Sequence, residues 1–284
     1  MGNKLDEARE RSRSVWDAMA PGWESFRQDL WEMSRPVSEW LVERLDPRPG
    51  ETILDLAAGL GETGLLAARR VGETGRVLVT DFAPQMVAAA RRRAAEWGVT
   101  NADFRQLDGE RMDLEPGCVD GVVCRWGYML MADPGAALGE TARVMRPGGR
   151  LALSVFSAAE RNPWASLVGQ ILVAEKHLPP PVPGSPGIFG LSDPKRIREL
   201  VSKAGFASAE VAEMPLTWRF ANPDAHWWVL TEMAGAISPI LRGLAPEAQG
   251  KVRTRLGEMA RPFRDGDGYA FPVLCLNVAT RKPA

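Results

Sequence analysis

Ile53-Leu54-Asp55-Leu56-Ala57-Ala58-Gly59-Leu60-Gly61-Glu62-Thr63-Gly64 is a short apolar run that passes through three glycines into a helical period. Glycines at such a point remove Cβ atoms, so the turn tightens and the backbone can approach a ligand closely. The spacing Gly59-x-Gly61-x-x-Gly64 matches the dinucleotide fingerprint and by itself does not choose between cofactors. Asp81 ends the next apolar run, and 81 − 61 places it 20 residues beyond the second glycine. A carboxylate there can accept hydrogen bonds from both ribose hydroxyls of an adenosine.

Outward from this loop, β-branched apolar runs alternate with helical periods. Strands are expected at Thr52 to Ala57, Arg76 to Asp81, Asp103 to Leu107, Val119 to Cys124 and Gly149 to Phe156. Helices are expected between them at Glu62 to Val71, Pro84 to Trp97 and Pro134 to Met145. That alternation predicts an α/β fold: a doubly wound, Rossmann-like, mostly parallel sheet covered by helices. Further strands at Ala207 to Met214 and Tyr269 to Ala279 bring the sheet to seven, the C-terminal one antiparallel. A helix from Ser192 to Ala204, capped by Ser192, and another near Glu247 to Ala260 are expected around them.

Four regions follow. Residues 1–46 form an N-terminal helical cap interrupted at Pro21-Gly22, and 47–156 the cofactor-binding core. Residues 157–190, with Pro179, Pro180, Pro181, Pro183 and Pro186, read as an irregular lid loop. Residues 191–284 complete the sheet and carry a helical substrate-cap insert at 217–262.

Composition narrows the function. Lys+Arg 35 against Asp+Glu 36 leaves a formal charge of −1, too little cation surplus for a dedicated nucleic-acid binder. No stretch reaches the roughly 18 to 20 apolar residues of a membrane span, and Met1 to Arg13 lacks the apolar core of a secretory signal, so a cytoplasmic protein is expected. The three cysteines and two histidines give no metal-ligand spacing; no metal is expected. Asp55 stands where a nicotinamide-binding strand is usually apolar, and its charge would repel a pyrophosphate.

At this point the chain resembles the class I S-adenosylmethionine-dependent methyltransferases, in particular the ubiquinone/menaquinone C-methyltransferase-like (type 11) group. The resemblance rests on Leu54 to Gly61, Asp81-Phe82-Ala83-Pro84-Gln85-Met86, Leu107-Asp108-Gly109 and Arg143 to Leu151, together spanning roughly residues 50 to 156. It implies S-adenosyl-L-methionine as cofactor. It also implies that Ala57, Gly59 and Gly61 lie against the methionine half and that Asp81 holds the ribose. Phe82 and Met86 would pack on the adenine, Asp108 and Gly109 would bond its edge, and Arg125 would line the methionine side.

Methyl transfer is an in-line displacement, so positioning can supply on the order of 7 to 11 kcal/mol without an elaborate catalytic group. Of ten tryptophans, four precede the core, Trp126 follows its fourth strand, and Trp164, Trp218, Trp227 and Trp228 lie in the segments after it. They suggest a small, largely apolar or aromatic acceptor, with Trp23, Trp126 and Trp227 as substrate-binding candidates. His226 is the candidate general base for a hydroxyl acceptor, with Tyr128 a second polar group. The N-terminal helices could instead serve as a homodimer surface. Two other readings compete: a nicotinamide-dependent reductase on the same fold, and a non-catalytic cofactor-binding protein. The reductase is disfavoured by Asp55, by Leu107-Asp108-Gly109, and by Ala132 standing where a Tyr128-x-x-x-Lys pair needs lysine.

Overall fold

Helices α1 (Gly2–Ser25) and α2 (Arg27–Leu45) lead into a regular alternation: β1 (Thr52–Leu56), α3 (Glu62–Val71), β2 (Arg76–Asp81), α4 (Pro84–Glu96), β3 (Ala102–Gln106), β4 (Val119–Arg125), α5 (Pro134–Val144) and β5 (Met145–Phe156). Helices α6 (Pro163–Ala174) and α7 (Pro194–Lys203) follow, then β6 (Glu210–Phe220), α8 (Pro223–Glu232), α9 (Ile237–Gly243), α10 (Pro246–Met259), β7 (Arg264–Asp265) and β8 (Gly268–Arg281). The structure, a computed structural model, describes residues 2–182 and 184–284. Met1 and Pro183 of the proline-rich stretch lie outside the described residues.

The sheet runs β3-β2-β1-β4-β5-β8-β6. Strands β1 to β5 pair in parallel, and β8 is antiparallel to both its neighbours. The seven expected strands are therefore present, and a two-residue β7 folds back on the start of β8. Strand β1 is apolar on both faces apart from Asp55 because helices cover both sheet faces, and Ile53, Leu54 and Leu56 are sealed. Gly121 in β4 lets α2 close on the sheet: a Cβ there would sit 3.1 Å from Leu45 Cδ1. Strand order reverses between β1 and β4, which opens a crevice at the carboxyl ends of these strands.

Three local expectations are revised. Helix α1 runs through Pro21-Gly22 and breaks only at Phe26. A Cβ on Gly22 would lie 2.9 Å from the Glu232 carbonyl oxygen, so this glycine permits close helix packing on α8 instead of a turn. The lid segment is not all loop: α6 opens with Pro163 in its first turn, where proline lacks no needed N–H. Helix α7 is capped by Asp193, which accepts from the Lys195 N–H, not by Ser192. Helices α6, α8, α9 and α10 share an apolar core of their own, including Ile171, Leu230, Leu241 and Leu256. They form a roof over the crevice.

Candidate active site

A cavity of about 780 Å³ occupies the crevice, walled by the strand ends below and by α1 and the helical roof above. Of the residues expected to bind cofactor, Ala57, Gly59, Asp81, Phe82, Met86, Asp108, Gly109 and Arg125 all line it. Of the acceptor candidates, Trp23 and Trp126 line it as well. The order of the strands explains this convergence, since loops from β1, β2, β3 and β4 open side by side at the reversal point.

The glycine loop is held by two carboxylates with different duties. Asp81 accepts the Gly59 N–H at 2.9 Å and the Ala83 N–H at 2.9 Å, tying the loop to the start of α4. Burial raises its carboxyl above the ordinary range, opposed by those backbone donors. Asp55 is sealed beneath the loop, where Oδ2 accepts the Gly64 N–H at 2.7 Å and Oδ1 has no partner. Burial pushes its carboxyl up to about 8, so it is largely neutral at pH 7 and does not line the cavity. The expected repulsion of a pyrophosphate by Asp55 therefore has no basis; its work is to anchor the first turn of α3. Gly64 is required for that contact, because a Cβ would fall 2.6 Å from Asp55 Oδ2.

A carboxyl raised from 3.8 to about 8 binds its proton more tightly in the folded chain. Its stabilising contribution is complete below the unfolded value and is lost as pH rises through about 8. Asp55→Asn should therefore flatten the decline in Tm between pH 5 and 8, measured by thermal melts of the two proteins. An unchanged slope would show that Asp55 is ionised in the fold.

Gly61 takes a left-handed φ of 82° as the N-cap of α3, but it lies off the cavity. A Cβ there would press within 3.1 to 3.2 Å of Ala90 and Val79, so its place is in the packing beneath the loop. Arg125 lies at the cavity floor with its head group occupied. Nη1 donates to Ser34 Oγ (2.7 Å) and Ser38 Oγ (2.8 Å), and Nη2 to Glu62 Oε2 (3.0 Å). Glu62 is fully buried, and Arg93 approaches its other oxygen at 3.6 Å.

Helix α1 is fastened over the cavity by a second buried pair. Arg9 donates through Nε (3.1 Å) and Nη2 (2.6 Å) to Glu110 Oε2, while Glu110 also accepts the N–H groups of Ala132 and Asp133. Asp17 on the same helix accepts the Gln85 N–H in the first turn of α4, and Trp23 Nε1 donates to the Met233 carbonyl at 3.3 Å.

Besides Gly61, three expected residues lie elsewhere. His226 is 1% exposed, its Nε2 lies 2.7 Å from the Trp164 carbonyl oxygen, and Phe220 and Phe271 flank its ring. A carbonyl only accepts, so the proton sits on Nε2. Burial drives its imidazolium down to about 4. It joins α8 to α6 and lines no part of the cavity. Tyr128 is also sealed. Thr141 Oγ1 donates to the Ala137 carbonyl, so the phenol donates to Thr141 at 2.6 Å, and burial raises it well above its ordinary value. Trp227 packs against the roof core under Arg253. In place of these, Phe156, Trp164 and Trp218 join Trp126 in one aromatic wall, with ring centroids 4.4 to 5.7 Å apart. Periodicity could not separate them from core tryptophans, because all four are at least nine-tenths buried.

A methyltransferase-domain family model matches residues 53–149, the stretch containing the glycine loop, Asp81 and Asp108. Nocamycin O-methyltransferase of Saccharothrix syringae is 30% identical over 244 residues, 77% of this chain and 86% of that protein. The ubiquinone/menaquinone C-methyltransferase of Acidiphilium cryptum is 35% identical over 154 residues, covering 53% of this chain and 61% of that one. In fold, the chain resembles a SAM-dependent methyltransferase from Aquifex aeolicus with a TM-score of 0.53 at 16% identity, over 91% of this chain and 98% of that chain. The likeness extends well beyond the glycine loop, and with it the chain belongs to the class I S-adenosylmethionine-dependent methyltransferases.

Proposed function

We propose that the enzyme methylates a small, largely apolar or aromatic metabolite, and that Ala57, Gly59, Asp81, Phe82, Met86, Asp108, Gly109 and Arg125 hold the cofactor. The observation that carries this reading is the cavity itself, which has two chemically different halves. On one side, half-buried Asp81 and Asp108 stand at the ends of β2 and β3 beside Phe82, Met86 and Leu107. Carboxylates flanking an apolar slot fit a nucleoside: acceptors for ribose and amino group, carbon for the ring faces. On the other side, the aromatic wall of Trp126, Phe156, Trp164 and Trp218 faces Met33 and Met233.

S-adenosylmethionine, when bound, supplies a methyl group made electrophilic by its sulfonium. The chain's own residues orient and enclose. Asp81 sets the glycine loop, Arg125 joins α2 to α3 beneath it, and the Arg9–Glu110 pair closes α1 over the top. The indole wall excludes water and offers π faces toward a cation. The relatives' names include both an O- and a C-methyltransferase; the acceptor reading here rests on the wall.

Isothermal titration with S-adenosylmethionine, S-adenosylhomocysteine and nicotinamide dinucleotides tests the donor half: only the first two should bind, in the micromolar range. Trp164→Ala tests the acceptor half. It should lower kcat/KM for an aromatic acceptor at least about tenfold while the S-adenosylhomocysteine Kd moves by less than about threefold, since a lost aromatic contact costs on the order of 1.5 kcal/mol or more. Equal loss of both would place Trp164 in the scaffold alone.

A further inference from the structure

Few side chains at the cavity could accept a proton, and none of them belongs to the aromatic wall. Among the described lining residues, the charged or titratable groups are Arg9, Arg11, Asp81, Asp108, Glu110 and Arg125. Guanidinium groups do not act as bases. Asp81 accepts from Gly59 and Ala83, Asp108 from the Glu110 N–H, and Glu110 from Arg9, Ala132 and Asp133. Asp81 ends β2, and Asp108 and Glu110 lie in the loop after β3, whereas the aromatic wall comes from the residue after β4 and from β5, β6 and α6. His226, Tyr128 and Cys275 are sealed and line no part of the cavity. The wall itself contributes indole and phenyl rings.

We infer that the acceptor reaches this enzyme with its nucleophilic atom already ionised: a planar, apolar acid, such as an aryl carboxylate or a strongly acidic enol or naphthol. The inference rests on the apolar-acceptor reading above and adds the charge state. In the transfer, the acceptor's lone pair forms the new bond to the methyl carbon and the S–C pair remains on sulfur. Anion and sulfonium become two neutral groups, and no proton is left to place. A neutral hydroxyl would leave a proton on the ether oxygen, and no lining group near the wall could take it. An apolar wall also favours the ionised route. Opposite charges held in a poorly solvating site lose more on leaving water than the charge-dispersed transition state does. The same wall opposes ionisation inside it, so the acid has to be strong enough to arrive ionised.

Three acceptors of similar ring size test this: 2-naphthoic acid, 2,4-dinitro-1-naphthol and 1-naphthol, followed as kcat/KM from pH 5 to 9. The first two should be methylated with flat profiles. 1-Naphthol should be at least about 100-fold slower near pH 6 and should rise about tenfold per pH unit, tracking its own ionisation. A single inflection shared by all three acceptors would reveal an enzyme base and overturn the inference. His226→Gln should leave each profile in place, whereas removal of an inflection by it would likewise overturn the inference. A second readout needs no turnover. The absorbance of 2,4-dinitro-1-naphthol bound to the S-adenosylhomocysteine complex should remain that of the naphtholate, and a shift to the protonated spectrum would count against the proposal. If the protein binds S-adenosylmethionine but methylates none of the three, the aromatic-acceptor reading fails, and this inference with it. A shared inflection sinks the inference alone.

Discussion

Asp81→Ala should weaken S-adenosylmethionine and S-adenosylhomocysteine binding by about 100-fold or more, measured by titration calorimetry. One carboxylate is asked to do two things. Its oxygens accept the Gly59 and Ala83 N–H groups, which fixes the loop and the start of α4 before any ligand arrives. Each oxygen retains a second lone pair for a ribose hydroxyl. Hydrogen bonds to a charged group are worth about 1.5 to 3 kcal/mol each, so losing two costs about 3 kcal/mol or more, roughly two decades of affinity. Asp81→Asn separates the duties: one oxygen still accepts, but its amide turns a donor toward a second backbone N–H. An intermediate loss of about tenfold is expected. If alanine leaves the affinity within about threefold while the melt is unchanged, the ribose is held elsewhere.

Legibility in the sequence followed the physics of each signal. The central parallel strands were readable because buried parallel strands are largely apolar, and the helices between them open near a proline or an acidic residue and close near a glycine or proline. That Asp81, Phe82, Asp108 and Gly109 would meet at one cavity was readable for a related reason: they sit at fixed offsets from strand ends, so chain position predicts location. Gly61 and Asp55 share that neighbourhood but turn inward, and spacing cannot say which way a side chain points. The opposite wall of the cavity was not readable in this way. His226 reads as a candidate base from its residue type alone, yet Trp164 of α6 and Phe271 of β8, 62 and 45 residues away, close over it. Trp164 and Trp218 resembled ordinary core residues because they are core residues, on the side of the core that faces the cavity. Glu62 and Glu110 carried no motif; each acquires its meaning only from an arginine brought to it by tertiary packing.

Glu62→Ala should be among the most damaging single changes in the chain, lowering stability by about 3 to 5 kcal/mol in denaturant unfolding. Glu62 is 0% exposed and lies between Arg125 and Arg93, whose side chains are 5% and 6% exposed. Removing it strands buried guanidinium charge, and breaking a buried pair from one side typically costs that much. Arg125→Met alone leaves Glu62 with only the longer Arg93 contact and strips the donors from Ser34 and Ser38, so it should be comparably destabilising. The double variant Glu62→Met with Arg125→Met should recover part of the loss, because the Arg125 charge leaves together with that of Glu62, while Arg93 keeps its 3.0 Å bond to Glu96. A strongly non-additive cycle, with coupling of about 2 kcal/mol or more, is therefore the expected result. Additive losses would mean that the two groups act separately. The double variant also asks what the ion pair is for. If it folds to near wild-type stability yet has lost cofactor affinity, Arg125 is retained for the ligand it faces. If affinity survives, the pair serves to register α2 and α3 beneath the glycine loop, and Arg125 belongs to the scaffold.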